Sequence, residues 1–359
     1  MSNRSELIVD VNTIVNNYKI FCSTLKKEQK IIAIVKANAY GHGAVQVVKA
    51  LEKAGCTDFG VACIEEAINL RDNGIKSTIL VLGYTPARFV DVLQKLDIHQ
   101  TVVSKEHLSD LVKTGVKVPV HFKIDTGMHR IGFAPNRQTE NYIRSSINKL
   151  SVKGIYTHLC VADDVECDKF TNEQLVKFKN FIKSIQDLNL PYVHCFNSAG
   201  AMYYNDGFST HVRLGIALYG LKPDWKIALP KGVFPAIEWR AEICMVKKLK
   251  RGESLGYGLT FTAEKNMKIA TVTIGYADGY SRKLSNIGTV YVNEKKAQVV
   301  GNVCMDQLMI DVTGIKVKMG DNALLICNQY TADDMAKDLD TISYEVVTQI
   351  STRVTRVFK

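Results

Sequence analysis

The chain has 359 residues, of which 46% are hydrophobic and 23% are charged, and its formal net charge is +10. This length suits two domains, or one large barrel with an appended domain, better than one small domain. No apolar run approaches the ~18 residues that a membrane span needs. The positive charge favours anionic ligands, but the densest basic run, 247–251, lacks the interleaved aromatic residues of a nucleic-acid-binding surface. We therefore expect a small-molecule ligand and neither nucleic acid nor membrane contact within this chain.

The cysteines and the N-terminus indicate the cellular compartment. Nine cysteines are scattered without a C-x-x-C pair, and the first residues lack the apolar stretch of a secretory signal. This pattern argues against a disulfide framework or a zinc site and favours a reducing cytoplasm. A cytoplasmic domain of a larger, membrane-anchored parent fits the same pattern.

The first part of the chain alternates helices with apolar strands. Residues 10–25 carry apolar side chains at i, i+4, i+7 and i+11, which is one face of a helix. The next segment, IIAIVK at 31–36, is rich in β-branched residues and does not alternate, as in a parallel strand covered on both faces. Seven more strand candidates follow, mostly separated by helical segments: 58–63, 78–83, 99–103, 118–125, 152–159, 192–198 and 211–220.

Two helix ends are marked by specific residues. Gly74 lies in the C′ position after a helix that starts near residue 63. Thr171 and Gln174 have the spacing of a capping box, which predicts that the long apolar-striped helix before residue 190 begins at Thr171.

Eight strands alternating with helices predict a (β/α)8 barrel. A doubly wound open sheet is the competing fold, but no G-x-G-x-x-G follows the first strand. After about residue 235, short strands joined by turns predict a mostly-β domain that ends with two short helices. The expected domains are a barrel over 10–235 and a β domain that combines 1–9 with 236–359.

Polar side chains recur at the C-terminal ends of the predicted barrel strands, where barrels carry their active sites. These residues are Lys36, Lys123, Asp125, Arg130, His158, Asn197, Ser198 and Arg213. Each has an ordinary structural explanation when it is taken alone: a strand-end lysine is usually a surface charge, and asparagine and serine form turns. Their occurrence on several strands together predicts a site at one rim of the barrel.

The chemistry of this rim favours an amine over a metal. No H-E-x-x-H motif occurs, and His42, His158 and His194 lie on different segments, so we expect no metal site. A lysine in a partly apolar pocket beside anion-binding groups indicates Schiff-base chemistry instead. Desolvation lowers the pKa of a lysine and makes its neutral, nucleophilic amine available.

At this point the residues resemble a known family. VKANAYGHG, 35–43, is similar to the pyridoxal-phosphate lysine motif of alanine racemases, and further matching segments occur in the family's order: KIDTGMHRIG, YTHL, FNSAG, VRLGIALYGL, GYGLTFTA, TIGYADGY and GNVCMDQLMID. The resemblance covers nearly the whole chain. It implies a homodimer of barrel-plus-β-domain subunits that uses pyridoxal 5′-phosphate to convert L-alanine to D-alanine for peptidoglycan precursors.

The resemblance also implies two proton-transferring bases. Lys36 would carry the cofactor and serve as one base, and Tyr257 would reach in from the other subunit as the opposite base. Two bases on opposite faces suit inversion, because a single base would mostly return the proton that it removed. The pKa of an unperturbed tyrosine is about 10, so Tyr257 needs cationic neighbours to act as a base at neutral pH.

The remaining implied roles concern the cofactor and the substrate. Arg213 would face the pyridine nitrogen and keep the cofactor a weak electron sink, because arginine stays protonated, and His158 would lie against the ring. The small residues after Lys36 would let the chain pass close to the cofactor. Its phosphate would contact Tyr40, Ser198, Gly215 and Ile216, with Asn197 as a further cofactor contact. The substrate would meet Arg130, Met305, Asp306, Tyr276 and Thr352. Lys123 matches a lysine that family members can carry as a carbamate.

One position departs from the family pattern and opens an alternative function. Some alanine racemases have a tyrosine where this chain has Thr352, and that tyrosine crowds the substrate pocket. The threonine is either neutral drift or a change that makes room for a hydroxymethyl side chain. The second reading resembles the serine racemases of vancomycin resistance, in which the racemase is the cytoplasmic catalytic domain of a membrane protein.

Two further functions are weaker alternatives. A barrel-type decarboxylase with the same cofactor would resemble a glycine-triplet phosphate loop, whereas this chain shows NSAG, RLGI and GYG. A non-catalytic protein of pyridoxal-phosphate homeostasis would be a single barrel, and the second domain and Tyr257 speak against it.

Overall fold

The computed structural model describes residues 4–26 and 28–359. The chain begins with strand β1 (Ser5–Val9) and helix α1 (Val11–Thr24). Asp10 caps the helix, because its carboxylate accepts a hydrogen bond from the Thr13 N–H. The predicted apolar stripe of α1 is the face that the helix buries against the core.

Eight parallel strands close into a barrel. Their bounds are β2 (Lys30–Ile34), β3 (Asp58–Val61), β4 (Thr78–Val81), β5 (Ile98–Val102), β6 (Pro119–Lys123), β7 (Ser151–Tyr156), β8 (Tyr192–His194) and β9 (His211–Leu214). Each strand pairs with the next, and β2 closes the ring on β9 with Ile32 opposite Arg213. The predicted (β/α)8 barrel is confirmed, and the doubly wound sheet is wrong.

The helices around the barrel are α2 (Lys36–Tyr40), α3 (Ala44–Lys53), α4 (Ile64–Asp72), α5 (Val90–Lys95), α6 (Lys105–Lys113), α7 (Arg137–Ser146), α8 (Asp168–Ser184) and α9 (Ser198–Tyr203). Gly74 follows α4 with a φ of 84°, as its predicted C′ position requires. The predicted capping box at Thr171 and Gln174 is wrong. The α8 helix already begins at Asp168, after a 3-10 turn, and both residues are buried inside it.

The rest of the chain is mostly β, as predicted. Its strands are β10 (Ile237–Leu249), β11 (Ser254–Leu255), β12 (Phe261–Thr262), β13 (Met267–Val272), β14 (Thr289–Val292), β15 (Lys295–Gln298), β16 (Leu308–Asp311), β17 (Asn322–Ile326) and β18 (Thr355–Phe358). Two short helices, α10 (Ala332–Asp338) and α11 (Ser343–Gln349), lie between β17 and β18. The N-terminal β1 belongs to this sheet, pairing antiparallel with β10 and parallel with β18.

The barrel and the β sheet share one continuous hydrophobic core. Asn17 ties α1 to the segment that leaves the barrel: its side chain donates to the carbonyls of Leu218 and Phe234 and accepts from the Phe234 N–H. These contacts hold the segment that leads out of the barrel against α1. None of the helices in the described part of the chain is both long enough and apolar enough to pass through a membrane.

Candidate active site

A pocket of about 170 Å³ opens at the C-terminal ends of the barrel strands. The predicted residues that line it are Lys36, Tyr40, Lys123, Arg130, His158, Asn197, Ser198, Arg213, Gly215 and Ile216. Asp125, which was also expected at this rim, does not line the pocket and instead accepts the N–H groups of Gly127 and His129. The structure therefore gathers residues from distant strands at the predicted rim.

Lys36 opens the α2 segment, whose backbone the sequence did not predict. The φ angles from Ala37 to Tyr40 lie between 51° and 55°, so this segment is one turn of left-handed helix. That conformation costs ~1–2 kcal/mol per L-residue and needs support from its surroundings. The Glu66 carboxylate provides it by accepting the N–H of Ala37 at 2.6 Å and the N–H of Ala62 at 2.7 Å. The turn that carries Lys36 is thereby fixed to the end of β3.

The Lys36 side chain is half-buried under the rim. Burial lowers the pKa of Lys36 below its ordinary value of 10.5, and the positive charges of Arg130 and Arg213 lower it further against the opposing charge of Glu66. A lowered pKa increases the fraction of neutral amine, which is the nucleophilic and basic form. The surroundings of Lys36 therefore favour its neutral amine.

A cradle of small donors lies beside Lys36. Ser198 Oγ accepts the N–H of Gly215 at 3.0 Å and the N–H of Ala217 at 3.5 Å. A Cβ atom at Gly215 would lie 2.8 Å from Tyr40 Oη, so only glycine lets the tyrosine hydroxyl approach this turn. Asn197 fixes the start of α9 by accepting the Gly200 N–H. Hydroxyl and peptide N–H groups in this arrangement suit a phosphate-sized anion.

Arg213 is buried in the floor of the pocket. Its guanidinium donates to the carbonyls of Thr157 and Cys195 at 2.8 Å and 3.0 Å, to His158 Nδ1 at 3.1 Å and to His194 Nδ1 at 2.8 Å. A guanidinium has donors and no acceptor, so both histidine nitrogens must present lone pairs. Burial and the charge of Arg213 hold the pKa of His158 well below 6.5, which keeps that ring neutral.

Lys123 is a second lysine with an altered amine. The side chain is 3% exposed, and its Nζ donates to the Ile124 carbonyl at 2.8 Å. Burial lowers the pKa of Lys123 to about 7, the charge of Arg213 acts in the same direction, and Asp125 opposes it. Much of this lysine is therefore neutral amine at pH 7, the form that reacts with carbon dioxide.

The other predicted site residues lie on turns and loops of the mostly-β part, outside the pocket. They are Tyr257, Tyr276, Met305, Asp306 and Thr352. Tyr257, on the turn between β11 and β12, is 72% exposed. Thr352 is exposed beside Arg353, whose guanidinium pairs with Asp306 at 2.6 Å. Within one chain, the structure does not bring Tyr257 to the pocket that Lys36 lines.

Several pocket residues were missed from the sequence. They are Ile34, Leu82, Ile131, Tyr156 and Tyr344. Tyr156 lies two residues before His158, so strand alternation could have placed both at the barrel interior. Tyr344 comes from α11, and its ring lies 5.9 Å from that of Tyr40. No local pattern could have signalled this long-range contact.

Gln174, which was predicted to belong to a capping box, instead holds the segment that carries His158. From inside α8 its side-chain oxygen accepts the Cys160 N–H at 3.1 Å, and its amide donates to the His158 carbonyl and to Thr126 Oγ1, each at 3.2 Å. The buried amide therefore fixes the segment that presents His158 to the pocket.

Fold and site define a (β/α)8 barrel with an activated lysine, a buried arginine and an anion cradle at its C-terminal rim. The family models for the alanine racemase N-terminal and C-terminal domains match residues 9–223 and 236–358. The chain belongs to the alanine racemase family.

Individual relatives resemble the chain over its whole length. The alanine racemase of Clostridium perfringens (strain SM101 / Type A) is 41% identical over 366 residues, covering 98% of this chain and 94% of that protein. The structure of Clostridium difficile 630 alanine racemase superposes with a TM-score of 0.94 at 36% identity, covering 100% and 96% of the two chains. The Bartonella henselae alanine racemase, solved with covalently bound pyridoxal phosphate, has a TM-score of 0.90 at 30% identity and covers 100% of both chains.

Proposed function

We propose that this chain is a pyridoxal 5′-phosphate-dependent racemase that interconverts L-alanine and D-alanine. The observation that carries the proposal is the convergence of Lys36, the Ser198–Gly215 cradle and Arg213 on one pocket. The similar proteins described above are alanine racemases. Neither the pocket nor these relatives favour the serine-preferring, decarboxylating or non-catalytic alternatives.

The residues of the pocket fit the cofactor. Tyr40, Ser198 and the backbone of Gly215 and Ile216 would hold its phosphate, because all four residues line the pocket and the Tyr40 and Ser198 hydroxyls lie close to Gly215. Lys36 would hold the cofactor covalently. The sites beside its ring would be occupied by Arg213, His158 and Asn197. When bound, the cofactor supplies an electron sink that acidifies the Cα proton of the amino acid.

The chain's own groups would then move the proton. The Lys36 amine, with its lowered pKa, would remove or return the Cα proton on one face. The Tyr257 hydroxyl would act on the opposite face, and two opposed bases account for inversion. Arg213 donates hydrogen bonds to both neighbouring histidines. A guanidinium does not release a proton at neutral pH, so Arg213 would leave the pyridine nitrogen of the cofactor unprotonated.

A homodimer would supply the second base. Tyr257 is highly exposed, and apolar side chains nearby on the same region are exposed as well: Leu259 at 66%, Met305 at 54% and Ile287 at 52%. Isolated proteins seldom leave such a patch uncovered. We therefore propose that Tyr257, Tyr276, Met305 and Asp306 of one protomer complete the pocket of the other.

Arg130 and Lys123 would control the substrate side of the pocket. Arg130 lines the pocket from the exposed rim, where its guanidinium would bind the substrate carboxylate together with a Met305 N–H from the other protomer. A carbamate on Lys123 would carry a negative charge and orient Arg130. Thr352 does not line the pocket in the structure, so its contact with the substrate stays a prediction.

The remaining proposals concern organisation and location. We place the domain boundary near residue 235, with 10–235 as the barrel and 1–9 joined to 236–359, because β1 pairs with β10 and β18. All nine cysteines are free, which supports a reducing cytoplasm. There the D-alanine product would serve peptidoglycan precursors.

Circular dichroism with L-alanine or L-serine and added pyridoxal phosphate tests the function. We expect rapid loss of the L-alanine signal, slower loss of the L-serine signal, and no activity in Lys36→Ala. A protein that carries the cofactor but leaves L-alanine unchanged would overturn the proposal. A preference for serine would favour the Thr352 alternative instead.

A further inference from the structure

The barrel interior below Arg213 carries histidines where barrels usually carry branched apolar side chains. His99 on β5, His121 on β6 and His194 on β8 are 8%, 1% and 0% exposed. None of the three takes part in the proton transfers proposed above. Buried imidazoles without a purpose would only destabilise the barrel, so their arrangement calls for an explanation.

The three rings are joined end to end. Arg213 Nη1 lies 2.8 Å from His194 Nδ1, His194 Nε2 lies 3.2 Å from His121 Nδ1, and His121 Nε2 lies 3.0 Å from His99 Nδ1. We call His194, His121 and His99 the histidine chain. It runs from the floor of the pocket through the barrel interior, and it uses both ring nitrogens of His194 and His121.

The donor at one end fixes every proton along the histidine chain. Arg213 can only donate, so His194 must accept at Nδ1 and carry its own proton on Nε2. That proton requires His121 to accept at Nδ1 and carry its proton on Nε2, and the same step repeats at His99. A change of tautomer at any ring would oppose two N–H groups, or two lone pairs, at the next contact.

The barrel backbone makes room for the middle ring. A Cβ atom at Gly154 on β7 would lie 2.6 Å from His121 Nδ1 and 2.6 Å from Tyr192 Cβ. The pairing of β6 with β7 also shifts register between Val120 and His121. His121 thus occupies space that only a glycine on the neighbouring strand leaves open.

We propose that the histidine chain positions Arg213, holding its guanidinium towards the cofactor by fixing His194 in the Nε2–H tautomer. His121 and His99 are positioning residues in this arrangement, because they act through His194 and touch neither cofactor nor substrate. The inference rests on the proposed function for the role of Arg213. The tautomers are a property of the protein alone, however, and can be read without any reaction.

The direct test is ¹⁵N NMR of the histidine-labelled holoenzyme and of its His121→Leu variant. In the wild type we expect His194, His121 and His99 each to show the Nε2–H tautomer. In His121→Leu the His194 Nε2–H loses its acceptor, so only the Arg213 contact still favours that tautomer. We therefore expect a mixture in which part of His194 carries its proton on Nδ1 and no longer accepts from Arg213. The kcat for L-alanine should fall about tenfold, because the Nδ1–H tautomer of His194 cannot accept the hydrogen bond from the charged Arg213 guanidinium, while KM stays within about twofold.

Two more variants separate positioning from a general loss of packing. His211→Gln is the matched control, because His211 is a buried barrel histidine that pairs with Thr210 at 2.8 Å instead of Arg213. It should leave the His194 tautomer and kcat unchanged. Gly154→Ala keeps the histidine but crowds its ring and the Tyr192 Cβ, each 2.6 Å from the added Cβ atom. It should shift the His194 tautomer in the same direction as His121→Leu, and it supplies a second test if the His121→Leu protein folds poorly.

The outcomes are distinct. Retention of the Nε2–H tautomer at His194 with unchanged kcat in both His121→Leu and Gly154→Ala overturns the inference, and so does an equal effect of His211→Gln. A wild-type protein without racemase activity overturns the proposed function instead. In that case the tautomers of the wild type and the variants still decide whether the histidine chain exists.

Discussion

Two lysines in one pocket have lowered pKa values for the same physical reason but differ in position. Lys36 and Lys123 both have lowered pKa values, chiefly through burial. Lys36 lies on the left-handed turn at the rim, where it reaches a ligand. Lys123 ends β6 inside the barrel, close to the Tyr156 ring and bonded to the Ile124 carbonyl.

The pKa of Lys123, about 7, makes its amine a target for carbon dioxide. The neutral amine adds to CO₂ to form a carbamate and releases one proton. We expect racemase activity to fall several-fold in CO₂-depleted buffer and to recover with bicarbonate, and we expect ¹³C-bicarbonate to give a carbamate signal that Lys123→Ala lacks. Full activity without CO₂, together with no such signal, would show that Lys123 carries no carbamate that the activity needs.

Single residues show how far the sequence could define the site. Strand ends predicted Lys36, Lys123, His158 and Arg213 at one rim, because every parallel strand of a barrel presents its C-terminal end on the same side. Glu66 was not predictable, because its contact with the Lys36 turn joins groups 29 residues apart through tertiary structure. Tyr344 could not be predicted as a pocket residue either, because its contact with Tyr40 is also formed only in the tertiary structure.

At the level of elements, the left-handed α2 turn depends most on its surroundings. Periodicity and composition do not reveal the sign of φ, and of Ala37 to Tyr40 only asparagine readily adopts this conformation. The turn is held from outside by Glu66 and by Arg356, whose Nε donates to the Gly41 carbonyl at 3.2 Å. The barrel strands, in contrast, were predictable because strands that are buried on both faces consist of continuous apolar runs.

Glu66→Gln should loosen this turn. A glutamine side chain has one acceptor oxygen for the two N–H groups that the carboxylate now binds. We expect a loss of about 1–3 kcal/mol in the free energy of unfolding, together with weaker retention of the cofactor. Denaturant titration and the absorbance of the bound cofactor measure the two effects.

Glu65→Gln is the matched control, because Glu65 is an exposed neighbour on the same helix. Because Glu65, among the described residues, interacts only with its own backbone N–H and with Cys63 at the start of the helix, we expect a small loss in the free energy of unfolding and no change in cofactor retention. Equal behaviour of Glu66→Gln and Glu65→Gln would mean that the Glu66 carboxylate does not support the turn.

The start of helix α8, in contrast, was predicted wrongly from its capping-box pattern. The preceding 3-10 turn, capped by Asp164, starts the helix before Thr171.

Considered as a whole, the molecule buries many of its histidines in the neutral form. Burial lowers the pKa values of His42, His99 and His211 to about 4, against 6.5 in the unfolded chain. Between pH 4 and pH 6.5 these histidines are largely protonated in the unfolded chain but neutral in the folded protein. Stability is therefore complete above about pH 6.5 and is lost progressively as the pH falls towards 4.

Denaturant unfolding between pH 7.5 and pH 4.5 measures this loss. We expect each such histidine to contribute a slope of up to about 1.4 kcal/mol per pH unit below pH 6.5. His211→Gln should reduce the slope of the free energy of unfolding against pH by about the contribution of one histidine. A free energy of unfolding that stays constant or rises on acidification would contradict the neutral burial of these rings.

In the proposed homodimer, each active site combines Lys36 of one protomer with Tyr257 of the other. Lys36→Ala and Tyr257→Phe each remove one base from every site of a homodimer, so both variants should be inactive. Dissociating and reassociating an equal mixture yields heterodimers in which one of the two sites has both wild-type residues. We predict recovery of about a quarter of wild-type activity, because half of the dimers are mixed and half of their sites are intact. No recovery, with mixed dimers demonstrated by mass spectrometry, would contradict the shared site.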